Sequence, residues 1–217
     1  MPILFSYPGG IHNYAVILLM NYLAHAFLSF DEADILTGNM ISDFVKGKRK
    51  LDYPPSVQKG IYLHRLIDSF TDSHPVTSRA KEFFRSAYRL YSGAFVDIVY
   101  DHFLALDHKQ FVPWEGLENF ARRTYDTLDG KTRLFPLSFQ KMYPYMKSGN
   151  WLYNYRLKSG MRQSFGGLVH RAAYLDDPVP AYNIFNEHYA ELSDCYTQFF
   201  PELKEYAFHW LEDQRGK

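Results

Sequence analysis

Between Gly60 and His74 the chain reads Gly-Ile-Tyr-Leu-His-Arg-Leu-Ile-Asp-Ser-Phe-Thr-Asp-Ser-His, with apolar Leu63, Leu66, Ile67 and Phe70 recurring every three or four residues. That spacing belongs to a helix of 3.6 residues per turn and fits no strand. The same period places His64, Asp68 and Asp72 at i, i+4 and i+8, in a slowly drifting column beside the apolar face. An imidazole and two carboxylates in one column are a donor set for a cation. They fit an amphipathic helix with an acidic, solvated side equally well, and this helix alone does not separate the two readings.

The helical period continues along the chain, divided by proline and glycine. Pro2, Pro8, Gly9 and Gly10 mark a loose leader over residues 1–12, and a helix is expected over residues 13–29, with Asn21 and His25 sharing one face. Asp31, ahead of Glu32 and Ala33, announces a second helix reaching Lys46 before Gly47 ends it. Asp43 then lies in a last turn, where the helix dipole disfavours a carboxylate unless a cation compensates; a solvated acid beside Lys46 is the alternative. A loop over 47–55 carries Lys48, Arg49 and Lys50, after which Ser56 is placed to cap the next helix and Pro75 to close it.

A helix over 77–91 turns Ala80, Phe83, Phe84, Ala87 and Leu90 inward and leaves Arg79, Lys81, Arg85 and Arg89 outside. Over 94–108, Phe95, Val99, Phe103 and Leu106 form the apolar side, with Asp97, Asp101 and His108 opposite. The adjacent pair Asp101-His102 is the second source of possible metal ligands, although such a doublet is common by chance. Helices follow over 115–128, 151–174 and 180–213, the last two interrupted near Gly160, Gly166-Gly167 and Pro201, while Pro136 and Pro144 keep the aromatic-rich middle in short pieces. No alternating strand pattern, internal repeat, dinucleotide or phosphate loop, CxxC pair or nucleophile elbow occurs. The fold class is all-α.

Composition narrows the function classes. With 217 residues and 47% hydrophobic content, one core is supported, and no linker divides it. Lys+Arg and Asp+Glu balance at 24 each, so no global field favours nucleic acid. The single cysteine, Cys195, excludes an internal disulfide and fits a reducing compartment, so a cytoplasmic protein is expected. The apolar run over 14–30 is short for a membrane span, holds Asn21 and His25 in its interior and has no Lys or Arg before it; a buried helix is expected rather than an anchor or secretory signal.

Five ordered motifs carry a resemblance: Met20-Asn-Tyr-Leu-Ala-His25, Thr37-Gly-Asn-Met-Ile-Ser-Asp-Phe-Val-Lys-Gly47, Gly60-Ile-Tyr-Leu-His-Arg-Leu-Ile-Asp68, Phe70-Thr-Asp-Ser-His-Pro75 and Tyr100-Asp-His-Phe-Leu104. Together with Asn186-Glu-His-Tyr-Ala-Glu-Leu and Phe199-Phe-Pro-Glu-Leu203, the sequence resembles the acyl carrier protein phosphodiesterases, or acyl carrier protein hydrolyases, from about Met20 onward. The family typically begins at the methionine matching Met20. The resemblance therefore divides the chain into an N-terminal extension, residues 1–19, and a helical phosphodiesterase domain, residues 20–217. It implies an HD-phosphohydrolase-like bundle, although this chain lacks a His-Asp doublet and has the reversed Asp101-His102.

The implied activity is metal-dependent, with manganese favoured: hydrolysis of holo-acyl carrier protein to apo-acyl carrier protein and 4′-phosphopantetheine. For that chemistry His64, Asp68, Asp101 and His102 are the first candidates as ligands, with Asp43 and His25 next; the donor types alone suit manganese, iron or zinc. Lys46 and Arg65, each near a candidate ligand, are placed to contact phosphate oxygens or to pair with those acids. His74, before Pro75, is a candidate general acid for the departing serine oxygen, or simply a cap. Lys46, Lys48, Arg49 and Lys50, extended by Arg79, Lys81, Arg85 and Arg89, offer a cationic surface to an acidic carrier protein. Two other readings keep part of this picture: a metal-dependent phosphohydrolase of a nucleotide or other small phosphoester, and a non-catalytic helical module that binds carrier protein.

Overall fold

The computed structural model describes residues 21–111, 115–172 and 174–215, and among them there are eleven α-helices and no strand. The helices are α1 (Tyr22–Phe27), α2 (Ala33–Ile41), α3 (Pro55–Ser73), α4 (Pro75–Tyr88), α5 (Ser92–Leu106), α6 (Glu115–Asp129), α7 (Leu137–Ser148), α8 (Trp151–Asn154), α9 (Lys158–Arg171), α10 (Val179–Glu187) and α11 (Tyr189–Arg215). The leader over residues 1–12, the extension over 1–19 and the first part of the helix expected from residue 13 lie outside the described residues.

α5 is the axis of the bundle. Every residue from Ala94 to Ala105 is buried, because α1, α4, α9 and α11 pack around it. A helix enclosed on all sides has no solvent face on which to place polar residues, so Asp97, Asp101 and His102 are buried along with the apolar positions. Leu106, expected inward, lies at the open end of α5 and is exposed.

α2 and α3 make the closest helix pair. A methyl group on Gly38 would sit 2.1 Å from the Val57 carbonyl oxygen, and one on Gly60 would sit 2.3 Å from the Ile35 carbonyl oxygen. Only glycine permits that approach. The contact brings the second half of α2, and the turn that follows it, against the middle of α3.

Several boundaries differ from expectation. α2 stops at Ile41 and tightens into a 3-10 turn over Ser42–Phe44, so Asp43 stands beyond the α-helix. The basic loop is itself a 3-10 segment, Gly47–Asp52. Pro54 and Pro55 open α3, and Ser56, expected as the cap, donates from its hydroxyl to Asp34 Oδ2 at 2.6 Å. Proline at the first helical position loses no hydrogen bond there, which removes the need for a side-chain cap. Pro144 lies inside α7 and Pro201 inside α11, and α9 passes through Gly166 and Gly167. In α7 and α11 the buried neighbours Tyr143 and Met146, and Phe199, Phe200 and Leu203, hold both sides of the proline in the core, so one missing backbone bond does not end the helix. Among the described residues no helix is long and apolar enough to cross a membrane.

Candidate metal centre

Three pieces of chain meet at the α2–α3 contact. α1 supplies His25, α3 supplies His64 and Asp68, and the turn after α2 supplies Asp43. His64 and Asp68 share a face of α3 because they stand four residues apart. His25 reaches them because α1 is fastened at its start: Asp101, on α5, accepts the backbone N–H of Leu23 at 2.9 Å and of Ala24 at 2.8 Å, one on each carboxylate oxygen. Those N–H groups belong to the first turn of α1 and have no partner within their own helix.

The imidazoles of His25 and His64 stack, with ring centroids 3.9 Å apart and planes 14° apart. His25 Nε2 lies 3.2 Å from Asp68 Oδ1, and His64 Nε2 lies 3.2 Å from Asp68 Oδ2 and 3.1 Å from Asp43 Oδ1. One ligand atom from each of His25, His64 and Asp68 falls within 4.8 Å of the others. The histidines are buried, at 1% and 4% exposure, while the side chain of Asp68 keeps 21% of its surface open, so the cluster is walled by protein and wet at its carboxylate edge.

Burial alone would lower the pKa of His64, but Asp68 and Asp43 together outweigh it and lift the imidazole to about 10. His25 is pushed below the ordinary histidine value, first by burial and then by the charge on His64. Burial opposes the charge on Asp68, yet the two histidines hold its carboxyl well below the usual range. Without a cation, His64 keeps a proton on Nε2, between the carboxylates of Asp43 and Asp68.

A cation fits the remaining valences. His25 Nε2 and Asp68 Oδ1 are close enough to pair but not aligned for a hydrogen bond, and both are buried without a hydrogen-bond partner. Two such orphaned atoms cost about 1–3 kcal/mol each, a cost that disappears when both lone pairs are directed at a metal ion. Two imidazole nitrogens with two carboxylates are a mixed set that suits manganese, iron or zinc.

The structure does not bring Asp101 and His102 into this group. Both oxygens of Asp101 are occupied by α1. His102 donates from Nδ1 to the Tyr155 carbonyl oxygen at 2.7 Å and faces the Tyr189 hydroxyl through Nε2 at 3.0 Å, and burial lowers its pKa to about 4, which keeps the ring neutral. These two side chains, expected as ligands, hold helices together because α5 is enclosed and its polar groups must find internal partners. Asp72, last in the column on α3, is exposed and paired with Lys81 Nζ at 2.8 Å.

His74 caps α4: its Nδ1 accepts the Val76 N–H at 3.3 Å, and its Nε2 faces Glu202 at 3.3 Å, against Phe70 and Phe199. Arg65 is exposed and donates from Nη2 to the Val45 carbonyl oxygen at 3.0 Å, tying the segment after Asp43 to α3. Lys46, Lys48 and Arg49 are exposed beyond Asp43, with Lys50 half-buried. In the second basic group Arg79 bonds Gln198 and Arg85 pairs with Glu82.

Two buried residues at the site carried no functional reading in the sequence. Asn39, on α2, contacts both histidines: its Oδ1 is 2.8 Å from His25 Nδ1 and its carbonyl oxygen is 2.8 Å from His64 Nδ1. Asp97, on α5, is raised well above the ordinary carboxylate value, chiefly by burial and then by Asp68 and Asp72. A polar residue in the middle of a helix flanked by apolar positions was the available signal for Asn39, and it does not say which side the helix buries.

The sequence profile of the acyl carrier protein phosphodiesterase family matches residues 20–203. Among relatives, the acyl carrier protein phosphodiesterase of Yersinia pestis is 31% identical over 190 residues, covering 88% of this chain and 98% of the relative. Those of Shigella boydii serotype 18 and Escherichia coli O139:H28 are 33% and 32% identical, with the same coverage. No solved structure matches at a significant level. With a family profile spanning most of its length and relatives covered almost end to end, this chain belongs to the acyl carrier protein phosphodiesterase family.

Proposed function

We propose that this protein is a metal-dependent phosphodiesterase that cleaves holo-acyl carrier protein into apo-acyl carrier protein and 4′-phosphopantetheine. The observation that carries the reading is the meeting of His25, His64 and Asp68 around one point in a chain of this family, with orphaned lone pairs on His25 Nε2 and Asp68 Oδ1. The printed names of the relatives supply the substrate.

His25 and His64 through Nε2, and Asp68 and Asp43 through carboxylate oxygens, would hold the ion, with manganese our first choice. A divalent ion bound there supplies an acidified water at neutral pH and neutralises charge on the phosphodiester. The remaining work falls to the chain. The buried imidazole walls exclude bulk water, and the open edge at Asp68 and Asp43 is the side from which a phosphodiester approaches. Lys46, exposed three residues after Asp43, contacts the non-bridging oxygens, and Arg65, one residue after His64 and anchored on Val45, keeps the Asp43 segment in place and adds positive charge at the same rim. The exposed cations Lys48 and Arg49, with Lys50, attract the acidic carrier protein. The cytoplasm is the compartment we infer for this reaction.

The test is mass spectrometry of holo-carrier protein before and after incubation with purified protein and Mn²⁺, with and without chelator, alongside a nucleotide panel. Loss of the phosphopantetheine arm only in the metal-loaded sample supports the reading. Turnover of nucleotides but not carrier protein replaces the substrate. Divalent ion absent from the protein, together with carrier-protein binding that survives His64→Ala, leaves a non-catalytic binding module.

A further inference from the structure

We propose that Asn39 is the positioning residue of this centre, fixing the tautomer of His25 with its side chain and the orientation of His64 with its main chain. The proposal rests on the metal reading for its purpose, but not for its geometry.

Asn39 is fully buried, and the polar groups around it allow one hydrogen-bonding arrangement. Its Nδ2 donates to the His25 carbonyl oxygen at 2.8 Å and to Ser29 Oγ at 3.1 Å. A carbonyl oxygen can only accept, so the amino end of the amide must face it. Ser29 uses its one hydroxyl proton on the same His25 carbonyl at 2.8 Å, which leaves its Oγ free to accept from Asn39. The amide oxygen is thereby turned to His25 Nδ1 at 2.8 Å, and since an amide oxygen only accepts, His25 must carry its proton on Nδ1. With Nδ1 turned to Asn39, Nε2 is the atom that faces Asp68, and it is the buried nitrogen left without a hydrogen bond.

The backbone carbonyl of the same residue meets His64 Nδ1 at 2.8 Å and imposes the same choice there. One residue therefore turns the Nε2 atoms of two stacked rings to the same side, toward Asp68. Buried partners of this kind set the basicity and orientation of metal-binding histidines, and their removal costs about 10–100-fold in metal affinity.

The experiment uses the full chain labelled with ¹⁵N-histidine. In the metal-free wild type, long-range ¹H–¹⁵N spectra are expected to show a proton on His25 Nδ1. In Asn39→Leu the ring loses its acceptor at Nδ1, and the proton is free to move to Nε2, the nitrogen that lies 3.2 Å from Asp68 Oδ1. Mn²⁺ affinity, measured by titration calorimetry, should fall about 10–100-fold. Asn39→Asp keeps an oxygen facing Nδ1 and, with its buried carboxyl protonated, a hydroxyl to donate to the His25 carbonyl oxygen, and should restore the proton on Nδ1.

A wild-type His25 whose Nδ1 carries no proton overturns the proposal whether or not any variant folds. So does a folded Asn39→Leu with unchanged tautomer and affinity. If wild type shows the Nδ1 tautomer, lost in Asn39→Leu and restored in Asn39→Asp, while binding no Mn²⁺, Zn²⁺ or Fe²⁺, Asn39 keeps its positioning role and the metal reading is the one that fails.

Discussion

His25 and His64 lie face to face, 3.9 Å between ring centres, and both direct Nε2 at Asp68. Two imidazolium ions cannot share that distance without strong repulsion, so the pair divides the labour: His64 holds a proton and His25 is pushed toward the neutral form. A proton on His64 and the proposed metal ion would compete for the same Nε2 lone pair.

Metal binding should therefore release a proton at neutral pH. His64, raised to about 10, is charged at pH 7 in the metal-free protein and must lose that proton to become a ligand. Apparent affinity for Mn²⁺ should rise about tenfold per pH unit between pH 7 and 9. Calorimetry in buffers of different ionisation enthalpy measures the protons released; a count of zero at pH 7 contradicts the placement of the charge.

Stability in chelator should run the opposite way. The folded value of His64 lies above its unfolded value of 6.5, so the stabilisation it provides is complete below pH 6.5 and is lost as pH rises through about 10. Asp68, held below its unfolded value of 3.8, belongs to the same pair and contributes above that value. The contribution of this pair to the melting temperature in chelator should be largest between about pH 4 and 6.5 and decline toward pH 10. Melts with and without Mn²⁺ over pH 5–10 should diverge as pH increases.

Asp101 and Asp68 should give opposite signatures. Asp101→Ala leaves two backbone N–H groups of α1 buried and unpaired, at about 1–3 kcal/mol each, so it should unfold at lower denaturant with or without metal. Asp68→Asn removes charge from the centre while keeping its shape, and should reduce hydrolysis by more than about 100-fold with a smaller loss of stability. Denaturant curves paired with activity assays separate the two; equal effects in both assays would contradict the division of roles.

Replacing Lys48, Arg49 and Lys50 with glutamate should act on encounter rather than on chemistry. The Michaelis constant for holo-carrier protein should increase by about tenfold or more, with turnover at saturation nearly unchanged, and the salt dependence of the reaction should weaken. An unchanged Michaelis constant and salt response would remove the patch from recognition.

The helices and much of the cluster were legible before any coordinates, but unevenly. Apolar spacing delivered α3, α4, α5 and α6 to within a few residues, and the i, i+4 relation placed His64 beside Asp68. That His25 would stack on His64 was not readable, since it depends on the angle at which α1 meets α3, set by Asp101 from a third helix. The same fact explains the misplaced Asp101 and His102: a polar doublet on an amphipathic helix suggests a solvent or ligand face, but α5 is enclosed on every side and uses those groups as internal fastenings. Pro144 and Pro201 look like breaks in the sequence because it shows the missing N–H and not the packing that compensates for it. Asn39 belonged to a family-like motif, yet its chemistry emerges only when Ser29, His25 and His64 surround it.

Gly38 and Gly60 let the main chains of α2 and α3 rest directly on each other, so their separation is set by rigid peptide units rather than by side chains that can change rotamer. A pocket framed in that way is preorganised: it exists at full definition before any ion arrives, and filling or emptying it requires no rearrangement of the scaffold. On the metal reading proposed above, an ion would enter or leave such a frame without unfolding it, so the supply of ions rather than a change of shape would decide the occupant.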